Sequence, residues 1–172
     1  MLEKENKEKE VRDFVDHVVT VRRVTKVTKG GKRFSFVAFV VSGNRQGNVG
    51  IALGKSKEVS SAIAKATSKA RKKLISVSLR KATIPYEVNG KHGASKVLLR
   101  PASEGTGNIA GGAVRLVLDA AGIKDVLTKC FGSSNGINAA KATLNGLSKL
   151  RSPRHIAKLR GFFSVKQLIK GL

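Results

Sequence analysis

The segment "TKGGKRFSFVAFVV", Thr28–Val41, decides the fold of the first half of this chain. Its Gly-Gly pair suits a tight β-hairpin, because glycine tolerates positive φ angles at no steric cost. After the turn the residues alternate between two faces of a strand: Phe34, Phe36, Ala38 and Val40 on one, Ser35, Val37, Phe39 and Val41 on the other. The pattern predicts a strand that leaves a hairpin, with Phe34 and Phe36 packed in the core.

The neighbouring segments complete a first compact unit. "VVTVRRVTKV", from Val18, predicts the strand before the turn. "SGNRQGN" is a second turn, and "VGIALG" predicts a third strand. From Glu58 the apolar period becomes helical, with a stripe of Val59, Ala62, Ile63, Ala66, Ala70 and Leu74. Three strands followed by an amphipathic helix are therefore expected, with the helix over the two phenylalanines.

A second unit begins near Arg80. "ATIPYEV" and "ASKVLLR" predict a strand pair joined by "NGKHG", and the glycine-dense "PASEGTGNIAGG" leads into a helix at "AVRLVLDAAG". "IKDVLTKCFG" predicts a strand, and "SSNGINAAKATLNGLSKL" a helix with Ser134 or Asn135 as its N-cap. The predicted fold class is α+β, with two small domains. The expected division is a charged extension at 1–16, domains at 17–78 and 79–152, and a basic tail at 153–172.

The charge of the chain points to a polyanionic partner. Lys and Arg number 34 against 11 Asp and Glu, which gives a formal net charge of +23. The first 16 residues are slightly acidic, so the remainder is even more basic than the total suggests. A body this cationic repels itself unless a polyanion neutralises it, and nucleic acid is the first candidate, with an anionic membrane second.

The cationic residues concentrate around the hairpin. No acid occurs between Asp16 and Glu58. Uncompensated charge of this density favours phosphate contact, and glycines at the turn let the backbone approach a sugar–phosphate chain closely. The predicted phosphate-binding residues are Arg22, Arg23, Lys26, Lys29, Gly30, Gly31, Lys32, Arg33, Lys55 and Lys57.

Two short motifs are near matches to other functions. "LGKSKE", Leu53–Glu58, has the Gly-Lys-Ser order of a phosphate-binding loop, but Val49 stands where that loop needs its first glycine. "KRFSFVAF", Lys32–Phe39, matches six of eight positions of the RNA-recognition-motif signature, whose aromatics stack on bases. In that fold a strand and a helix precede the signature, whereas here one predicted strand and a charged lead-in precede it, so a core role for its phenylalanines is preferred over base stacking.

Little in the sequence indicates catalysis, a metal or a cofactor. His17, His92 and His155 are scattered, and the few acids form no acid–base couple. Cys130 is the only cysteine, which excludes an internal disulfide, and it is expected to be a small buried hydrophobe in a reducing setting. No apolar run long enough to span a bilayer and no secretory signal is expected.

From about Val18 to Pro153 the sequence resembles the S-five family of small-subunit ribosomal proteins in its bacterial or organellar form, whereas the two ends depart from the family pattern. The blocks that carry the resemblance occur in order: "KGGKRFSF", "GNVGIALGKSKEV", "PASEGTGNIAGGAVRLVLDAAG", "KCFGSSN" and "SPRH". The resemblance implies a first domain similar to a double-stranded-RNA-binding fold and a second α/β domain of two layers. It also implies a structural role in the cytoplasmic small subunit, without catalysis.

The resemblance further implies partners and site residues. These are small-subunit rRNA, the neighbouring S-four and S-eight ribosomal proteins, and mRNA near its entry channel, without a membrane or a stable homo-oligomer. The hairpin tip, residues 29–33, would touch rRNA near the spectinomycin site. Residues that influence decoding accuracy at the S-four contact match Glu104, Gly105, Thr106, Gly107 and Arg115. A free-standing general RNA-binding chaperone and, more remotely, a P-loop NTPase are the alternatives.

Overall fold

The computed structural model describes residues 14–161, which form two four-stranded sheets and four helices within that range. The first part contains β1 (Val15–Thr28), β2 (Gly31–Gly43), β3 (Asn48–Ser56), α1 (Val59–Arg71) and β4 (Ile75–Ser76). The second part contains β5 (Val88–His92), β6 (Ser95–Pro101), β7 (Asn108–Ile109), α2 (Gly112–Ala121), β8 (Val126–Gly132), α3 (Gly136–Leu147) and α4 (Pro153–Leu159).

The first sheet is an antiparallel meander in the order β1-β2-β3-β4, and α1 lies on one of its faces. Ala62, Ala66 and Ala70 are the buried residues of α1. They approach β3 closely because Gly54 has no side chain: a Cβ there would collide with the Ala62 carbonyl and lie 2.6 Å from the Ala66 nitrogen. The alanine spacing in the sequence is thus matched by a glycine on the strand beneath it.

The opposite face of the first sheet packs against the second unit. Phe39, Val41 and Val49 belong to the same buried cluster as Val114 and Val117 of α2. The β2–β3 turn is also tied to the end of α2, because the Arg45 amide donates to the Ala120 carbonyl at 3.0 Å. One core therefore joins the two halves of the described chain.

The second sheet has the order β5-β6-β8-β7, in which only β7 and β8 run parallel. Helix α2 connects these two parallel strands. Helix α3 packs on β5 and β6, and two glycines allow this close contact. A Cβ on Gly90 would collide with the Ala142 carbonyl, and a Cβ on Gly146 would lie 3.2 Å from Gly90. The sheet with its helices forms a two-layer α/β arrangement, and the α+β prediction is confirmed.

Several local predictions can be compared with the observed elements. The two long strands, the third strand and the helices all occur, and Asn135 is the N-cap of α3, its side chain accepting from the Ile137 amide at 3.0 Å. The stretch 82–87 is not a strand, which is consistent with the missing amide donor of Pro85. Strand β1 begins at Val15, inside the predicted extension. Residues 1–13 of that extension, and the tail beyond residue 161, lie outside the described residues.

Candidate nucleic-acid interface

The β1–β2 hairpin projects beyond its own sheet. Strand β3 ends at Ser56, which pairs with Phe36, and Phe36 pairs with Arg23 on the other side. Residues 24–35 therefore form a two-stranded extension, called the ribbon below, with no third strand beside it. Two-stranded hairpins are marginally stable on their own, so this ribbon depends on its root in the sheet.

The tip of the ribbon is a two-residue loop of Lys29 and Gly30, closed by the pair Thr28–Gly31. The Thr28 hydroxyl donates to the Gly31 carbonyl at 3.0 Å. Gly31 has a φ of +116°, a conformation that favours glycine, whereas the φ of Gly30 is not in that region. The glycine pair thus makes a tight turn, as the sequence predicted, and only its second member, Gly31, adopts a positive φ.

Every residue predicted to contact phosphate is exposed, from Arg22 to Arg33 in the hairpin and at Lys55 and Lys57. Lys26 and Arg33 are direct cross-strand partners. Arg22 and Lys55 both pair with Val37, from opposite sides, which places their backbones about 10 Å apart on the same face. The structure therefore brings Arg22, Lys26, Arg33 and Lys55 together on one face of the hairpin.

These cations have no acidic partners within residues 14–161. The salt bridges there are Arg71–Asp16 at 2.7 Å, Arg100–Glu87 at 2.9 Å and Arg115–Asp119 at 4.0 Å. Like charges directly opposite each other in a sheet are destabilising. The hairpin thus carries a repulsion that an external anion would relieve.

Phe34 is not in the core, and the prediction that it packs beneath the helix is wrong. Its side chain is 48% exposed, whereas Phe36 packs beside Ala38 and the helix alanines. The reason is positional: Phe34 lies in the ribbon, past the end of β3 and outside the reach of α1, which begins at Val59. The guanidinium carbon of Arg23 lies 4.8 Å from the centroid of the Phe34 ring.

The glycine-dense loop before α2 is an ordered turn. The Thr106 hydroxyl donates to the Ser103 carbonyl at 2.7 Å, and the Gly107 amide donates to Asp125 Oδ1 at 2.9 Å. Gly105 and Gly107 both have positive φ angles, and Glu104 is exposed at the outside of the turn. The predicted residues 104–107 thus form one defined surface loop.

Arg115 is connected to that loop through two side chains. Its Nε lies 4.0 Å from Asp119 Oδ2, and Asp119 Oδ1 accepts from Asn108 Nδ2 at 2.7 Å. Asn108 follows Gly107 directly and also donates to the Ile123 carbonyl at 2.6 Å. The structure therefore connects the helical arginine to the loop through a long ion pair and a hydrogen bond.

Arg115 also shares a cleft with the hairpin. This cleft, of about 500 Å³, is lined by Arg22 of β1, Arg115 of α2 and the first residues of α2 and α3. A second groove, of about 460 Å³, brings Lys69 of α1 and Lys73, two residues after that helix, to Lys141 of α3. Sequence reasoning missed both juxtapositions, because no local pattern signals which distant cations the fold will bring together.

Comparisons with known proteins match the chain over both halves. The family model "Ribosomal protein S5, N-terminal domain" covers residues 14–78, and "Ribosomal protein S5, C-terminal domain" covers residues 90–160. The chain belongs to the ribosomal protein S5 family. It is therefore a structural, non-enzymatic protein of the small ribosomal subunit.

Curated relatives agree over almost their whole length. The "Small ribosomal subunit protein uS5" of Pseudothermotoga lettingae is 53% identical over 160 residues, covering 93% of this chain and 90% of that protein. The protein of the same name from Thermotoga maritima is 49% identical over 166 residues, covering 96% and 93%. That from Syntrophobacter fumaroxidans is 55% identical over 148 residues, covering 86% and 89%.

The Gly-Lys-Ser sequence does not form a phosphate-binding loop. Gly54 and Lys55 lie inside β3, paired with Ala38 and Val37 of β2, so their backbone is extended and does not form a loop whose successive amides could surround a phosphate. Helix α1 begins only at Val59. The P-loop alternative has no structural basis here, in agreement with the family assignment.

Cys130 is exposed, so the prediction of a buried hydrophobe is wrong. Strand β7 ends opposite Leu127, which leaves this part of β8 without a neighbour on one side. The thiol itself is partly covered, and this burial raises its pKa above the ordinary value, against a smaller lowering by Lys129. It is consequently a poor nucleophile at neutral pH.

Neither a metal cluster nor a membrane span occurs in the described part of the chain. Residues 14–161 contain no group of three or more His, Cys, Asp and Glu side chains placed to hold a metal ion. None of the helices in this range is both long and apolar enough to cross a bilayer.

Proposed function

We propose that this chain binds small-subunit rRNA through the β1–β2 hairpin and the cationic face at its root. The observation that carries the proposal is the direct pairing of Lys26 with Arg33 on a projecting ribbon, with no acidic partner within residues 14–161. RNA phosphates would neutralise both charges and release their counter-ions. Membership of a ribosomal protein family favours RNA as the polyanionic partner over an anionic membrane, which the charge alone also allowed.

The shape of the ribbon supports a specific docking role. A two-stranded ribbon rooted in a packed sheet can reach into a recess of folded RNA that a flat surface cannot enter. Its tip carries Lys29 and Lys32 around two glycines, and nothing lies within 4 Å of a Cβ at either glycine. RNA backbone can therefore approach the tip closely. The predicted contact near the spectinomycin site belongs to this same tip.

The loop of residues 104–107, together with Arg115, would contact the S-four ribosomal protein and influence decoding accuracy. Arg115 is 62% exposed and its ion pair with Asp119 is long, so its guanidinium is available to a neighbour. Glu104 is exposed on the nearby turn. Contacts with the S-eight protein and with mRNA near its entry channel complete the proposed role, in the cytoplasm, with one copy of the chain in each subunit.

The ribbon's role is tested by reconstituting small subunits with charge-neutral variants. Lys26→Gln with Arg33→Gln removes two charges from the ribbon, and Lys96→Gln with Lys129→Gln removes two from the outward face of the second sheet. The ribbon variant should compete poorly with the unmodified chain for incorporation, while the control competes normally. Equal incorporation of both variants would overturn the proposed role of the ribbon.

A further inference from the structure

The side chain of Phe34 is an exposed part of the hairpin that the proposed phosphate contacts do not use. It is a large apolar ring, 48% exposed, on a strongly cationic ribbon. Thr25, its cross-strand partner, is a short side chain that leaves the ring open. Together with Val27, which is diagonal to it across the two strands and also exposed, the ring forms an apolar patch, and exposed apolar patches mark contact surfaces. We therefore expect a binding partner to cover the Phe34 ring.

The surroundings of the ring select the chemistry of that occupant. Arg23 lies over the ring at 4.8 Å and is diagonal to it across the two strands. Lys32 lies two residues before Phe34 on the same face of β2, and Val27, opposite Lys32, is 71% exposed. An aromatic ring beside two cations matches a nucleotide, because the base stacks on the ring and the phosphate meets the charge.

We propose that Phe34 and Arg23 form a stacking site for an unpaired nucleobase of RNA. The proposal rests on the proposed function and deepens it, since it assigns base stacking to a hairpin otherwise argued to bind phosphates. The base must be unpaired, because inside a duplex the neighbouring base pairs cover both of its faces, whereas the bases of single-stranded loops and bulges are open to stacking on aromatic side chains. The near match of "KRFSFVAF" to a base-stacking signature thus places its first aromatic where stacking is possible, on a different fold.

A protein partner fits the same surface less well. The two cations beside the ring have no acid within residues 14–161, so a protein would have to supply complementary carboxylates at this point. RNA supplies a negative charge at every nucleotide. Among the exposed phenylalanines of residues 14–161, Phe131 on β8 is equally open, at 50%, and has Lys96 opposite it and Lys129 two residues before it, but no cation in this range lies over its ring. It therefore serves as a matched control.

The test uses the full chain and two RNA probes that both carry the fluorescent base 2-aminopurine. One is a single-stranded oligoribonucleotide of about twelve nucleotides, within the usual site sizes of single-strand binders. The other is a fully paired duplex of the same sequence. Affinity and fluorescence are measured across a salt series for the unmodified chain, Phe34→Leu, Phe34→Tyr and Phe131→Leu, and circular dichroism checks the fold of each variant.

Phe34→Leu should weaken binding of the single strand by roughly five- to hundredfold and abolish the fluorescence change of the stacked base. Binding of the duplex and the salt slope should stay unchanged, because no charge is removed. Phe34→Tyr and Phe131→Leu should behave like the unmodified chain. This pattern would support the stacking site.

Equal weakening by Phe34→Leu and Phe131→Leu, or no weakening by either, would overturn the stacking site while leaving the phosphate-binding function intact. Normal RNA binding by Phe34→Leu together with its loss from washed small subunits would assign the ring to a protein partner, which also overturns the proposal. Failure of the proposed function itself is recognised separately, since the unmodified chain would then bind neither probe with a salt-dependent affinity.

Discussion

Lys26 and Arg33 face each other as direct cross-strand partners in the ribbon of residues 24–35. Both side chains are exposed, and no carboxylate within residues 14–161 pairs with either. Like charges in this position lower the stability of a free hairpin. The arrangement is understandable if the hairpin is selected for contact with an anion.

Lys26→Glu should therefore stabilise the free protein and weaken RNA binding. The change replaces a like-charge pair with an opposite-charge pair, which contributes about 0.2–1 kcal/mol to the free energy of unfolding. Urea unfolding measures the first effect, and the affinity for an rRNA fragment at several salt concentrations measures the second. A variant with lower stability, or with unchanged RNA affinity, would contradict the electrostatic account of the ribbon.

The two glycines at the tip should respond differently to alanine. Gly31→Ala forces a side chain into a φ of +116°, which costs about 1–3 kcal/mol where the backbone cannot relax. Gly30→Ala meets nothing within 4 Å and has no such φ, so it should be tolerated. Amide hydrogen exchange in the ribbon reports the local loss. The turn geometry would be wrong if both variants exchanged at the same rate.

Gly54→Ala should destabilise the packing of α1 on the first sheet. The new methyl group would collide with backbone atoms of Ala62 and Ala66, an overpacking that costs about 1–3 kcal/mol. Gly112→Ala is the matched control, because it lies at the start of α2 with nothing within 4 Å. Its stability should be unchanged or raised by up to about 1 kcal/mol. Thermal unfolding of both variants measures this contrast, and a Gly54→Ala variant as stable as the unmodified chain would contradict the predicted packing.

Substitutions in and near the loop before α2 should distinguish a residue that stabilises the fold from one that acts only in function. Asn108→Ala removes the hydrogen bonds to Asp119 and to the Ile123 carbonyl, and should cost about 1–3 kcal/mol of unfolding free energy. Arg115→Ala removes only a long, exposed ion pair, so stability should change by no more than about 0.5 kcal/mol.

Arg115→Ala should nevertheless raise misreading in a translation-accuracy reporter, if Arg115 acts at the proposed protein contact. Lys124→Ala, which removes a nearby exposed cation, provides the control. Unchanged accuracy in a normally folded Arg115→Ala variant would refute the role proposed for this arginine.

Much of the fold follows from local patterns in the sequence. The alternation after the Gly-Gly turn and the alanine stripe of α1 each report a periodicity that a single element imposes. The N-cap at Asn135 is likewise a local signal. Family resemblance supplied the second domain's type, and the matches over 14–78 and 90–160 show the family itself.

Local patterns could not predict the point at which a strand extends past the end of the strand beside it. Phe34 and Phe36 lie on the same face of β2, yet only Phe36 has β3 beside it. Cys130 illustrates the same limit, because it is exposed on a part of β8 that β7 does not flank. The cleft shared by Arg22 and Arg115 depends on packing between elements far apart in sequence, which no periodicity encodes.

Co-sedimentation with small ribosomal subunits, washed across rising salt, tests the central claim most directly. Each phosphate neutralised by a loosely bound protein contributes a slope of about −0.7 to −0.9 in log affinity against log salt. The account predicts that the chain stays at about one copy per subunit in high salt, since shape and protein contacts would hold it together with charge. Full release at moderate salt, with equal binding to unrelated RNA, would contradict it.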